Sequence, residues 1–166
     1  MSVLGELQPN KVFKYFEEIC SIPHGSRNLQ QISDYLVDFA KAHELKYRQD
    51  EDLNVIIWKD GSKGYEASEP VILQGHMDMV AVKEADCDKD MEKEGLDLEI
   101  NGDYISAKGT SLGGDDGIAV AYTLAVLDDE EKAHPPIEAI FTVNEEIGML
   151  GAATIDVSDL KGRLFM

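Results

Sequence analysis

The sequence predicts an α/β domain, a three-layer αβα arrangement around a mixed central sheet, and three observations carry that expectation. Amphipathic helical stripes alternate with apolar runs too short to be helices, which is the pattern of helices and strands sharing one core. Two of those runs, Pro70 to Leu73 and Ile137 to Val143, are apolar without alternation, as in strands covered on both faces. Asn101-Gly102, set between Leu96-Ile100 and Tyr104-Ala107, is a hairpin signal and brings antiparallel pairing into the fold.

Taken in order, Val12, Phe13, Phe16, Ile19 and Cys20 form one helical stripe behind the start signal Pro9-Asn10. Leu29, Ile32, Leu36, Phe39 and Ala40 form a second, after the break Ser21-Ile22-Pro23-His24-Gly25-Ser26. Short strands are expected around Leu45 to Tyr47 and Asn54 to Trp58, with a turn at Asp60-Gly61-Ser62-Lys63-Gly64. Lys83 to Gly95 is charged and turn-rich and reads as a surface loop. Its run Asp86-Cys87-Asp88-Lys89-Asp90 starts like a calcium loop, but Met91 stands where the sharp-turn glycine belongs and Asp97 where the closing glutamate belongs. A solvated acidic loop is the expectation there. From Asp116 to about Leu127 the chain is rich in alanine and apolar nearly all round, which predicts a helix buried against the sheet. A short helix is expected from Met149 to about Ile155, and no internal repeat or low-complexity segment interrupts the pattern.

The 166 residues suit a single core, with an ordinary 43% hydrophobic and 29% charged composition. A formal net charge of −18 repels polyphosphate backbones, so no nucleic acid partner is expected. Cys20 and Cys87 lie far apart in no metal-spaced pair, and Met1 to Glu6 has no cationic, apolar leader, so a reducing cytoplasm is the expected location. No apolar stretch approaches the roughly 20 residues that span a bilayer, so no membrane partner is expected.

Chemistry concentrates in three clusters. Gly75-His76-Met77-Asp78 follows one buried run, Asn144-Glu145-Glu146-Ile147-Gly148 follows the other, and Gly113-Gly114-Asp115-Asp116-Gly117 opens the alanine-rich helix. Strand ends are where α/β sheets present functional groups, and one imidazole with several carboxylates suits one divalent metal or two. Each cluster also has a plain reading. A single histidine packs in cores, an aspartate caps helices, and paired glutamates decorate surfaces. Asp78, two residues after His76, is placed to take the second ring N–H of a ligating imidazole. Asp115 and Asp116 can divide the tasks, one capping the helix and the other reaching a metal. Glu145 and Glu146 point differently at a strand end, so one can ligate while the other handles a water. His24, His43 and His134 fall outside the clusters and read as structural or exposed.

The clusters and their neighbours resemble the N-terminal catalytic part of M20-family metallopeptidases, most closely the cytosolic aminoacyl-histidine (Xaa-His) dipeptidases. The resemblance rests on Cys20-Ser21-Ile22-Pro23-His24, Asn54-Val55, Leu73 to Val80, Ala107 to Ile118 and Thr142 to Met149, in order over nearly the whole chain. It implies a zinc-exopeptidase-like catalytic domain and a peptide substrate. It implies His76 as ligand of one zinc, Asp115 as the carboxylate bridging two, and Glu146 as ligand of the other. Asp78 becomes the carboxylate that orients His76, and Glu145 the general base on the bridging water. Cobalt or manganese are possible substitutes for zinc, since N/O ligands do not select one divalent ion by affinity. Tripeptidases, aminoacylases and carboxypeptidases of the family share the same elements, so the resemblance leaves those substrates open beside dipeptides. It further implies that 1–166 is the N-terminal portion of the catalytic domain. The family's remaining carboxylate and histidine ligands, and a lid domain through which the parent would form a homodimer, would then lie outside the chain.

Overall fold

Each apolar stripe becomes a helix with one buried face, and each short apolar run becomes a strand. The computed structural model describes residues 2–166. Its elements are α1 (Asn10–Cys20), α2 (Gln30–Ala42), β1 (Lys46–Gln49), β2 (Val55–Lys59), β3 (Val71–His76), β4 (Leu98–Asn101), β5 (Tyr104–Ala107), α3 (Gly114–Leu127), β6 (Ile137–Thr142), α4 (Leu150–Thr154) and β7 (Leu164–Phe165).

Among the described residues the main sheet runs β1-β2-β6-β3-β7. β1, β2 and β6 pair antiparallel, whereas β3 is parallel to both β6 and β7. The sheet is mixed, as expected, but not because of the hairpin. β4 and β5 do form a hairpin, with Asn101 opposite Tyr104, and make a separate small sheet. β6 is buried along its whole length and is the central strand. β3, expected to end at Leu73, continues through Gln74 and Gly75 to His76, in register with Ile140, Phe141 and Thr142. A polar residue is tolerated there because the Gln74 amide lies 3.4 Å from the Thr142 hydroxyl.

Alternation along the strands sorts the core. Val55, Ile57, Ala139 and Phe141 face the layer of α1, α2 and α3, whereas Ile56, Ile72 and Ile140 face the other side, under Ile155 and Leu160. The second layer is thus thin, made by α4 and the segment that follows it. Glu138 pins that segment, its buried carboxylate accepting the Lys161 and Gly162 N–H groups. Burial of α3 is one-sided, contrary to its all-round apolar composition. Val120, Ala121, Leu124 and Leu127 are fully buried, but Tyr122 is 51% exposed. The reason is that α3 packs mainly between α1 and β3, with Gly117 letting the Phe16 ring approach closely.

Two polar contacts fasten these elements. Asn54, buried before β2, accepts the Val143 N–H and lies so near Gly151 that a Cβ there would stand 2.3 Å from its Oδ1. At the end of α3, Asp128 takes an ion pair from Lys11 at 3.0 Å. Burial opposes its charge, but the Lys11 and Tyr15 hydrogen bonds prevail and hold its carboxyl below the usual range.

Gly151→Ala should therefore lower the melting temperature by about 3–10 °C, an overpacking cost of about 1–3 kcal/mol read by calorimetry. Asp128 has a depressed folded pKa, so its contribution is present above its unfolded pKa and lost as pH falls through the folded value. Asp128→Asn should be less stable than the parent at pH 6, with the gap closing below about pH 4 in denaturant titrations.

Candidate metal centre

Two parallel strands end side by side, His76 closing β3 next to Thr142 closing β6. The Met77 N–H donates to the Thr142 carbonyl, so the two departing chains stay together for one more residue. α3 enters against the same end. Gly75 is what lets it in, since a Cβ at 75 would stand 3.1 Å from Asp116 Oδ2 and 3.4 Å from Val120. Gly113 takes the left-handed conformation (φ 67°) at the helix entrance, and Asp115 and Asp116 precede the regular turns. Neither aspartate makes a side-chain capping hydrogen bond to the helix. Asp116 instead accepts the His76 main-chain N–H at 3.2 Å.

The side chains converge around the His76 ring. Nε2 lies 3.2 Å from Asp115 Oδ1 and 3.9 Å from Glu145 Oε2. Ligand atoms of His76, Glu145 and Glu146 all fall within 4.8 Å of one another. Of the expected ligands, His76 and Glu146 thus come together with Glu145, whereas Asp115, its side chain 90% exposed, lies outside that close group and meets it at the His76 ring. On the other side of the ring, Nδ1 is 2.9 Å from the Asp78 main-chain carbonyl and 3.6 Å from its carboxylate. A carbonyl only accepts, so this contact puts a proton on Nδ1 and leaves Nε2 as the nitrogen that faces the carboxylates, where a bound cation would replace its proton.

Asp78 is 1% exposed beneath the cluster. Its carboxylate accepts the Ser26 hydroxyl at 2.8 Å, the Glu145 N–H at 3.0 Å and the Glu146 N–H at 3.4 Å. Burial would raise its pKa, but the His76 ring and these donors keep it below the ordinary carboxylate range. For His76 burial disfavours the charged ring, yet the Asp78 contacts and the Asp78 and Asp116 charges push its pKa up to about 9. Asp116 is pushed up by burial, and the nearby Asp115 and Glu145 charges add to that. Among the described residues no Lys or Arg reaches salt-bridge distance of Asp78, Asp115, Asp116, Glu145 or Glu146; their ion pairs are to His76 alone. One imidazole nitrogen and several carboxylates without a cation make a donor set suited to a divalent metal.

The remaining sequence candidates fall away from this centre. His24 is buried, its Nδ1 2.6 Å from the Ile22 carbonyl, and burial pulls its pKa down. His43 stacks on Phe39, and His134 bonds to the Pro135 carbonyl. The 86–97 loop is closed by Lys89, which bonds the Gly95 carbonyl and pairs with Asp97. Ser26 is a contributor that sequence reasoning missed, and Asp116, expected to cap the helix or reach a metal, instead holds the His76 main chain. Asp116 was readable only as half of an aspartate pair, and nothing local marks Ser26, 52 residues from its partner Asp78.

A mixed sheet presenting a histidine and several carboxylates at adjacent parallel strand ends defines the class as a zinc-exopeptidase-like catalytic domain. No protein-family model matches the chain. Comparison with individual proteins is more telling. The chain is 41% identical over 152 residues to the cytosol non-specific dipeptidase of Escherichia coli, covering 92% of this chain and 31% of that one. It superposes on the crystal structure of aminoacylhistidine dipeptidase from Vibrio alginolyticus with a TM-score of 0.94 and 39% identity, over 98% of this chain and 33% of that one. A Staphylococcus aureus tripeptidase shares the fold at a TM-score of 0.77 and 23% identity, covering 97% of this chain and 43% of that one. The chain belongs to the M20 family of metallopeptidases. It spans about a third of the length of the two dipeptidases it matches.

The geometry sets a direct expectation for metal uptake. His76→Ala and Glu146→Gln should each weaken zinc binding by about tenfold or more in calorimetric titration, whereas His134→Ala should leave it unchanged.

Proposed function

We propose that the protein to which this chain belongs hydrolyses dipeptides, of the Xaa-His type, at a pair of zinc ions, and that residues 1–166 supply the N-terminal portion of its catalytic domain. The observation that carries the reading is the convergence of His76, Asp115, Glu145 and Glu146 over a buried carboxylate that grips both glutamates by their main chain. Two relatives named as dipeptidases support a dipeptide substrate, and the Vibrio alginolyticus name, aminoacylhistidine dipeptidase, supports histidine as the second residue. The word cytosol in the Escherichia coli name supports a cytoplasmic setting. The homodimer contact is assigned to a lid domain outside the chain.

His76, Asp115 and Glu146 would hold the metal. A divalent cation bound there supplies Lewis-acid polarisation of the scissile carbonyl and acidifies an attacking water. Glu145 is the base: its carboxylate is 39% exposed and so open to water, while its N–H stays fixed on Asp78. It takes one proton as the water oxygen adds to the carbonyl carbon, then gives it to the amine nitrogen as the C–N bond breaks. Asp78, buried and locked by its donors, keeps His76 and the 145–146 main chain in fixed relation.

A second reading concerns the chain by itself. At a third of the length of these relatives, it carries only part of the ligand set the family implies, so alone it binds metal weakly and turns over no substrate. Two tight zinc sites by calorimetry, together with hydrolysis by the 166-residue chain, would reject this. For the whole protein, Glu145→Ala should lower kcat on an Xaa-His dipeptide by about 10²–10⁴-fold while zinc binding is largely retained. Undiminished turnover would remove Glu145 from the role of base.

A further inference from the structure

The loop between α1 and α2 reaches under the metal cluster and touches both strand ends that build it. Ser26 donates its hydroxyl to Asp78 Oδ2 at 2.8 Å, and the next residue, Arg27, donates its main-chain N–H to Asn144 Oδ1 at 2.8 Å. Asn144 immediately precedes the glutamate pair. Arg27 sits at φ 73° to make this contact, a conformation that costs a non-glycine residue free energy and persists only when its surroundings require it.

The hydroxyl is not needed to hold the loop in place. Gly25 forms a parallel bridge with Met79, the Ser26 N–H donates to the Met79 carbonyl, and the Met79 N–H donates to the His24 carbonyl. Asn28 closes the turn on Gly25 and bonds the Glu92 carbonyl through its side chain. The side chain of Ser26 therefore has one described partner, the carboxylate of Asp78. That carboxylate also receives the Glu145 and Glu146 N–H groups, so its orientation bears directly on the main chain that carries both glutamates.

Building on the metal-site reading above, we infer that Ser26 is a positioning residue of the metal centre: its hydroxyl fixes the Asp78 carboxylate so that His76 and Glu146 present their donor atoms together. A carboxylate with 1% exposure that loses a charge-assisted donor turns to recover one, and the nearest available are the main-chain groups it already holds. Partners behind metal ligands act on affinity in this way, typically by 10- to 100-fold. Ser26 touches neither metal nor substrate.

The test is zinc titration into metal-free protein by calorimetry, with melting curves taken in the absence of zinc. Ser26→Ala should bind zinc about tenfold more weakly than the parent while melting close to it without metal, and Ser26→Thr, which keeps a hydroxyl, should restore affinity. A Ser26→Ala protein that binds zinc as tightly as the parent overturns the inference about Ser26 and leaves the metal site standing. The inference also fails if Ser26→Thr is as weak as Ser26→Ala, because shape rather than the hydroxyl would then be what matters. A parent protein that takes up no zinc overturns the metal-site reading and this inference with it.

Discussion

The buried carboxylate of Asp78 is the constraint on which the site depends. It ties β3, which ends two residues earlier, to the chain leaving β6, and to a loop between the first two helices. A charge buried this deeply is costly unless every oxygen is satisfied, and here main-chain and hydroxyl donors meet it. The cost is what gives the arrangement its specificity, since any shift that leaves an oxygen unmet is penalised. Above this fixed point Asp115, Glu145 and Glu146 carry charge toward solvent around the buried His76 ring, without counterions from Lys or Arg.

The acidic cluster and the acidic surface are separate matters. Much of the −18 net charge is spread over exposed loops, where pairs such as Lys93–Asp90 and Lys132–Asp129 are open to solvent and contribute little. At the strand ends the same residue types range from buried Asp78 to exposed Asp115 and gather around one imidazole. Burial and neighbouring charge push Asp116 up even as hydrogen bonding holds Asp78 down. Divergent shifts in adjacent carboxylates mark a place arranged for chemistry rather than solubility.

Most of the elements and the residues at the strand ends could be read in the sequence because they depend on local pattern: apolar runs, helical stripes, and Gly, His, Asp and Glu at their ends. What could not be read depends on distance in the chain. Gly75 was legible as a residue where the backbone must come close, but the approaching partner is Asp116 on α3, and only the fold reveals it. The single-sided exposure of α3 was hidden because composition says how apolar a helix is, not how many neighbours it has. The hairpin was legible as a hairpin, while its separation from the main sheet follows from tertiary packing. Ser26 was invisible for the same reason as most supporting residues: a serine in a turn has many uses, and its partner is remote.

The order in which the chain supplies the centre has a consequence for how it comes into being. Its groups arrive from the turn after α1, the end of β3, the entrance to α3 and the end of β6, with contacts spanning 52 residues from Ser26 to Asp78 and 67 from Asp78 to Glu145. No short peptide excised from the sequence can reproduce it, because every ligand pair requires large loops to close first. Only the assembled sheet presents these groups together, so an ion bound there would strengthen the domain as a whole rather than any single loop.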